Sequence, residues 1–251
     1  MALQEELERQ GNWLFKHRSY LPLIILLIGT ILHLRSELYE TFILEETPYE
    51  IYYERLCLLV SLSGLVIRIY TVGYTPSNTS GRNTKGQLAD SLNTTGIYSL
   101  VRHPLYIGNF FMWFGAILTT GNFWFAIAFI LAYWVYYERI MFAEEQFLRK
   151  KFGTAYIEWA EKTPAFIPSF NRKKFIKPKY RFSWKKVLKK EKNGLAAILL
   201  IFTFFNVTGE LIDRDTDFDY WILALTLLTG LMYLILKYLK KYTRLLNETG
   251  K

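Results

Sequence analysis

The chain alternates long apolar runs with charged loops, and that pattern restricts its fold more than any other feature. The runs cover residues 21–34, 56–74, 105–119, 123–142, 195–212 and 220–239. A helix rises about 1.5 Å per residue, so roughly 20 mostly apolar residues cross a hydrocarbon core of about 30 Å. Lipid offers no water to peptide groups, so spanning segments of this composition satisfy their own backbone as helices. The first and third runs are short, which leaves their boundaries soft. The predicted fold class is all-α, a polytopic membrane helix bundle of about six transmembrane helices with a cytoplasm-facing cofactor site. The first eighteen residues are mostly polar and no small-residue cleavage site follows the first run, so that run is expected to stay as a membrane helix.

The loops set the expected orientation. Glu37, Glu40, Glu45, Glu46 and Glu50 crowd the first loop, whereas Arg82, Lys85 and Arg102 occupy the second. The loop after the fourth run carries Arg149, Lys150, Lys151, Arg172, Lys173, Lys174, Lys177 and Lys179 among other cations. The last two runs are joined by Glu210, Asp213, Asp215, Asp217 and Asp219, with Arg214 opposing them. By the positive-inside rule both termini are cytoplasmic. Asn78 and Asn93, although in glycosylation sequons, are then on the wrong side for modification. The formal net charge of +9 reads as attraction to anionic membrane lipids at the basic loop rather than to nucleic acid. Cys57 is the only cysteine and lies in an apolar run, so it suits a small buried hydrophobe, and no disulfide or cysteine-rich metal site is expected.

The expected organisation is a cytoplasmic segment over residues 1–19, a four-span core over 20–170, a basic cytoplasmic segment over 171–193, and a C-terminal helix pair with a basic tail over 194–251. Chemistry concentrates in the core. Between the second and third runs stands Gly96-Ile97-Tyr98, then Arg102-His103-Pro104-Leu105-Tyr106. Pro104 suits the first turn of a helix, where its missing N–H costs nothing. Taken alone, Arg102 could snorkel to headgroups, His103 could cap the helix and Tyr106 could join an interfacial aromatic belt.

A second polar cluster, Glu138-Arg139 and Glu144-Glu145, ends the fourth run. Glu138 lies within apolar surroundings, where an ionisable group usually faces a protein interior or cavity. Spacing of seven residues puts Glu138 and Glu145 on one face, with Arg139 and Glu144 directed elsewhere. The third run starts, and the fourth ends, on one membrane side, so Arg102, His103, Glu144 and Glu145 can meet. Glu144 and Glu145 could equally be a solvated face paired with Arg149 or Lys150.

These motifs, followed by Phe152-Gly153-Thr154-Ala155-Tyr156 and Thr163-Pro164-Ala165-Phe166-Ile167-Pro168, resemble the isoprenylcysteine carboxyl methyltransferase and phospholipid methyltransferase superfamily. The resemblance covers residues 96–168. It implies S-adenosylmethionine as cofactor, bound by Gly96, Tyr98, His103, Pro104, Tyr106, Glu144 and Glu145. It also implies methyl transfer to a lipid or lipid-linked acceptor from the bilayer. Arg102 and Arg139 are candidates to orient an anionic acceptor, and Glu138 or His103 to serve as base toward an amine. The chain departs from the family in its long basic stretch and two further spans. No metal is expected. The alternatives are an NADPH-dependent sterol-type reductase, whose related motif often has Asn where this chain has Leu105, and a non-enzymatic scaffold or transporter.

Overall fold

A computed structural model describes residues 2–39, 47, 49–76, 87–213 and 218–247. Asn78, Arg82, Lys85, Glu40, Glu45, Glu46, Arg214, Asp215 and Asp217, which entered the charge argument above, lie outside these. Eight α-helices follow in order among the described residues. They are α1 (Leu3–His17), α2 (Tyr20–Tyr39), α3 (Glu50–Tyr74), α4 (Pro104–Leu118), α5 (Phe123–Phe152), α6 (Thr154–Lys162), α7 (Trp184–Asp213) and α8 (Tyr220–Tyr242).

The all-α class holds. Helices α2, α3, α5, α7 and α8 are long and apolar enough to cross a membrane, and α4 is a shorter apolar helix of 15 residues. At about 1.5 Å per residue α4 reaches roughly 22 Å, less than a hydrocarbon core, so the loop entering it is drawn toward the bilayer. Leu23, Leu27 and Ile31 on α2 and Leu227, Leu231 and Leu234 on α8 are exposed, as lipid-facing side chains of an integral membrane protein are.

The N-terminal segment is more than a tail. Glu5 and Glu6 in its first turn and Lys16 and His17 in its last complement the helix dipole of α1. Gly11 and Phe15 are buried on α5, and a Cβ at Gly11 would fall onto the Arg139 carbonyl oxygen. Lys150 Nζ donates to Glu8 at 2.6 Å, and Tyr136 Oη to the Leu14 carbonyl at 3.2 Å.

Small residues bring α3 and α4 together. Gly64 faces the Gly108 carbonyl oxygen, Gly115 faces Ser61, and Ser61 Oγ donates to the Met112 carbonyl at 2.8 Å. Such contacts suit helices in lipid, where packing rather than water expulsion drives association. On the other side of α4, Phe110 stacks on Phe129 and Tyr133 stacks on Tyr137, forming an aromatic core with α5. Asn122 Oδ1 accepts from the Phe125 N–H at 2.9 Å and caps α5, which runs well past residue 142 to Phe152.

Helix α7 begins at Trp184, earlier than the apolar run predicts, and packs on α2, α3, α4 and α8. Its Lys189 Nζ donates to Asn247 at 2.9 Å, while Gln4 donates to Gln146 at the far end of α5 at 3.4 Å. Both described ends of the chain therefore lie at one end of the bundle. A cavity of about 700 Å³ opens there, and a second of about 440 Å³, lined by His33, Glu37, Tyr53 and Trp221, lies at the opposite end.

Candidate active site

The larger cavity is roofed by the segment that enters α4. Gly96 has φ +63° and ψ −135°, a backbone region that essentially only glycine adopts. From there its N–H donates to the Ile176 carbonyl at 2.8 Å. Ser99 Oγ donates to the Gly96 carbonyl at 2.7 Å and accepts from the Ile176 N–H at 3.0 Å. The backbone N–H groups of Arg102 and His103 donate to the Pro164 and Ala165 carbonyls at 2.9 and 3.1 Å. Trp159 Nε1 donates to the Tyr98 carbonyl at 3.1 Å. The chain after α6 is thus a strap that returns over residues 96–103 and fixes them by main-chain hydrogen bonds.

Pro104 opens α4, and His103, just before it, does not cap the helix with its side chain. The imidazole turns instead to α5. His103 Nε2 lies 3.0 Å from Glu145 Oε1, and Nδ1 lies 3.5 Å from Glu144 Oε2. Arg102 Nη1 donates to Glu145 Oε2 at 3.0 Å, and Tyr106 Oη donates to Glu144 Oε1 at 2.8 Å. Tyr133 Oη in turn donates to the Tyr106 carbonyl at 2.7 Å, tying the first turn of α4 to α5.

Burial works against the charged form of His103, but the hydrogen bonds and charges of Glu144 and Glu145 outweigh it and hold the imidazole above its ordinary pKa. In its charged form the ring donates from Nε2 to Glu145 and sets Nδ1 within ion-pair distance of Glu144. Burial, reinforced by the charge of Glu144, pushes the Tyr98 phenol up and keeps it neutral. Burial and the Glu145 carboxylate raise Tyr156 likewise, against the opposing pull of Arg102.

Of the residues singled out in the sequence, Tyr98, Arg102, His103, Pro104, Tyr106 and Glu144 line the cavity. Gly96 shapes the roof. Glu145 stands behind Arg102 and His103 and orients them. Glu144, expected to point elsewhere, faces the cluster. Glu138 and Arg139 are not brought to it: Glu138 is 51% exposed and pairs with its neighbour Arg139 at 3.5 Å. The shared face is real, but seven residues also move a side chain about 10 Å along the axis, so a common face does not by itself bring Glu138 to the cluster.

The far wall of the cavity was not anticipated. Arg68 on α3 donates from Nε and Nη2 to the two oxygens of Glu191 on α7, both at 2.8 Å, and from Nη1 to Asn109 at 2.6 Å. An arginine inside an apolar run is itself a signal of a protein-lined cavity. Arg68 stood in such a run at residues 56–74. Among the described residues no group of three or more His, Cys, Asp or Glu is placed to hold a metal.

Fold and cavity together define an integral membrane helix bundle with a polar, loop-roofed pocket at one end. Residues 56–155 match the phospholipid methyltransferase family, which is similar to the superfamily that the motifs resemble. Protein-S-isoprenylcysteine O-methyltransferase of Schizosaccharomyces pombe is 40% identical over 78 residues, 31% of this chain and 33% of that protein. Its Saccharomyces cerevisiae counterpart is 33% identical over 114 residues, 45% of this chain and 47% of that protein. The cobalt-zinc-cadmium resistance protein CzcN of Cupriavidus metallidurans is 34% identical over 113 residues, 44% of this chain and 50% of that protein. The chain thus spans between a third and a half of the length of these relatives. No solved structure matches it.

Proposed function

We propose that the protein is an S-adenosylmethionine-dependent methyltransferase whose acceptor is a lipid or lipid-linked molecule drawn from the bilayer. The observation that carries this reading is one cavity shared by two kinds of wall. His103, Tyr106, Glu144 and Arg102 stand at the roofed side, while Leu105, Met112, Gly194 and Ala197 of the membrane helices add an apolar stretch beside the Arg68–Glu191 pair.

The residues present suit the cofactor. Arg102 Nε is buried without a hydrogen-bond partner among the described residues, a donor that a ligand carboxylate would satisfy. Glu144 offers acceptors for hydroxyl or ammonium groups, and the faces of Tyr98, Tyr106 and Trp159 suit a cationic centre and a flat base. When bound, the cofactor supplies an activated methyl group on a sulfonium. The protein's share is alignment and water exclusion, and alignment of two bound reactants contributes on the order of 7–11 kcal/mol. Glu145 serves by holding Arg102 and His103 in place.

We read the site end as cytoplasmic, because the exposed cations Arg172, Lys173, Lys174 and Lys177 lie in the strap and its continuation. The same cations would rest on anionic lipid, gaining roughly 1 kcal/mol each near a charged leaflet. The 1–19, 20–170, 171–193 and 194–251 partition is retained as a working description, with α7 contributing to the cavity.

The test is a thermal-shift comparison of the purified protein with S-adenosylmethionine and with NADPH, followed by mass spectrometry of lipid extracts. Stabilisation by S-adenosylmethionine and a mass gain of one methyl group are expected. Stabilisation by NADPH alone would replace this reading with the reductase one.

A further inference from the structure

The smaller cavity, of about 440 Å³, opens where α2, α4 and α7 end and α3 and α8 begin, at the opposite end of the bundle from His103 and Glu144. One or two turns inside those helix ends its lining is apolar, with Leu58, Phe202 and Leu225. Nearer the ends it carries Glu37, Glu50, Glu54 and Asp219, with Arg55 and His33 as the groups able to oppose them. Arg55 is exposed and acts on Glu54 against the combined charge of Glu50, Asp219 and Glu210. Even with His33 charged, four carboxylates stand against two cations, so the lining keeps a net negative charge. Tyr53 Oη donates to the Leu118 carbonyl at 2.7 Å and fixes its ring as one wall, and Trp221 forms another.

His33 gives the lining its preference. Its side chain is 7% exposed. Nε2 lies 3.0 Å from the Phe205 carbonyl oxygen, which can only accept, so Nε2 carries a hydrogen. In the neutral ring Nδ1 is therefore a lone pair. It is buried and makes no hydrogen bond among the described residues, and Glu37 Oε1, another acceptor, lies 3.2 Å away. Two buried acceptors this close call for a positive hydrogen, carried either by the ring or by a guest.

We propose that this cavity is a second binding site, which takes a primary ammonium group with a short hydrocarbon part. The N–H groups of the guest donate to His33 Nδ1 and Glu37, Glu50 and Glu54 balance its charge, and its hydrocarbon part rests on the apolar lining. The faces of Tyr53 and Trp221 add attraction for a cation. A quaternary ammonium brings charge but no N–H and satisfies neither acceptor, and a carboxylate is repelled. Because the site lies at the far end of the bundle from the roofed cavity, its guest is not the methyl acceptor, and the site stands whatever that acceptor is.

The experiment titrates hexylamine, hexanol, hexyltrimethylammonium and hexanoate into the full chain in phosphatidylcholine nanodiscs by calorimetry, with empty nanodiscs subtracted. Hexylamine is expected to bind saturably and about tenfold or more tighter than each of the other three. In Glu37→Gln its affinity is expected to fall about tenfold while that of hexanol stays put. Hexylamine binding no tighter than hexanol, or matched by hexyltrimethylammonium, overturns the proposal, and so does an unchanged affinity in a folded Glu37→Gln protein. Should that variant fail to fold, the four-ligand comparison in wild type decides alone. Repeating the hexylamine titration in nanodiscs that contain phosphatidylethanolamine separates two sources of the same chemistry. A weakened apparent affinity there identifies a lipid headgroup as the occupant, and an unchanged one identifies a soluble amine; both uphold the site.

Discussion

Arg102 and His103, adjacent in the chain, hold opposite oxygens of one carboxylate: Glu145 Oε2 lies 3.0 Å from Arg102 Nη1, and Oε1 lies 3.0 Å from His103 Nε2. Glu145 is the joint between the roofing loop and α5. In Glu145→Gln the charge-assisted bonds weaken together, and hydrogen bonds to charged groups are worth about 1.5–3 kcal/mol. With Glu145 22% exposed, the lower half of that range, roughly 2 kcal/mol, is expected as a lowered unfolding midpoint. Cofactor affinity is expected to fall with it, measured by calorimetric titration. An unchanged midpoint and affinity would dismiss the joint.

The raised pKa of His103 predicts a pH dependence. Its value in the folded protein lies above the ordinary 6.5, so the stabilising charge on the ring is fully present below pH 6.5. It is lost as pH rises through the folded value. Thermal midpoints of wild type and His103→Gln, measured from acid to mildly alkaline pH, are expected to lie furthest apart at the acid end and to converge upward. A gap that widens with pH would contradict the assignment.

Close approach of α3 and α4 predicts that Gly64→Ala is destabilising. The added Cβ meets the Gly108 carbonyl oxygen and the Met112 nitrogen, which are backbone atoms that cannot swing away. Overpacking of this kind costs roughly 1–3 kcal/mol. Gly230→Ala on α8, where nothing lies within 4 Å of the new Cβ, is the matched control and is expected to be neutral or slightly stabilising. Equal midpoints for the two variants would refute the contact.

At Gly96 the backbone itself is the constraint. With φ +63°, an alanine there carries strain of order 1–3 kcal/mol, and its Cβ would lie 3.3 Å from Pro178 Cγ. Gly96→Ala is expected to speed hydrogen exchange at the Arg102 and His103 amides, which the strap protects. Exchange rates matching wild type would show that the strap holds without this glycine.

Much of this was legible because it followed from local chemistry. Apolar length located the spans, and Pro104 located the start of α4. Glu144 and Glu145 could be paired with Arg102 and His103 once loop charges put both on one side. What stayed hidden depends on contacts between distant segments. Glu138 shares an azimuth with Glu145, yet it is 51% exposed and pairs with its neighbour Arg139, and periodicity carries no knowledge of what lies opposite a face. Arg68 was masked by the apolar run around it, and Glu191 by the lysines on either side, which made its helix read as solvated loop. The amphipathic α1 was concealed by its polar composition, although the burial of Gly11 and Phe15 on α5 makes it part of the fold.

The hydrogen bonds from Gly96 to Ile176 and from Arg102 to Pro164 also set an order of assembly. A chain is synthesised from its N-terminus, and segments pack as they emerge. The roofing loop leaves the ribosome long before the carbonyl groups that will hold it. Spans α3 to α5 must therefore enter the membrane with the pocket still open, and Arg68 must wait longer still for Glu191. A ribosome stalled before Ile176 would display inserted helices without a finished pocket, so ligand protection against proteolysis should begin only in nascent chains that extend past the strap.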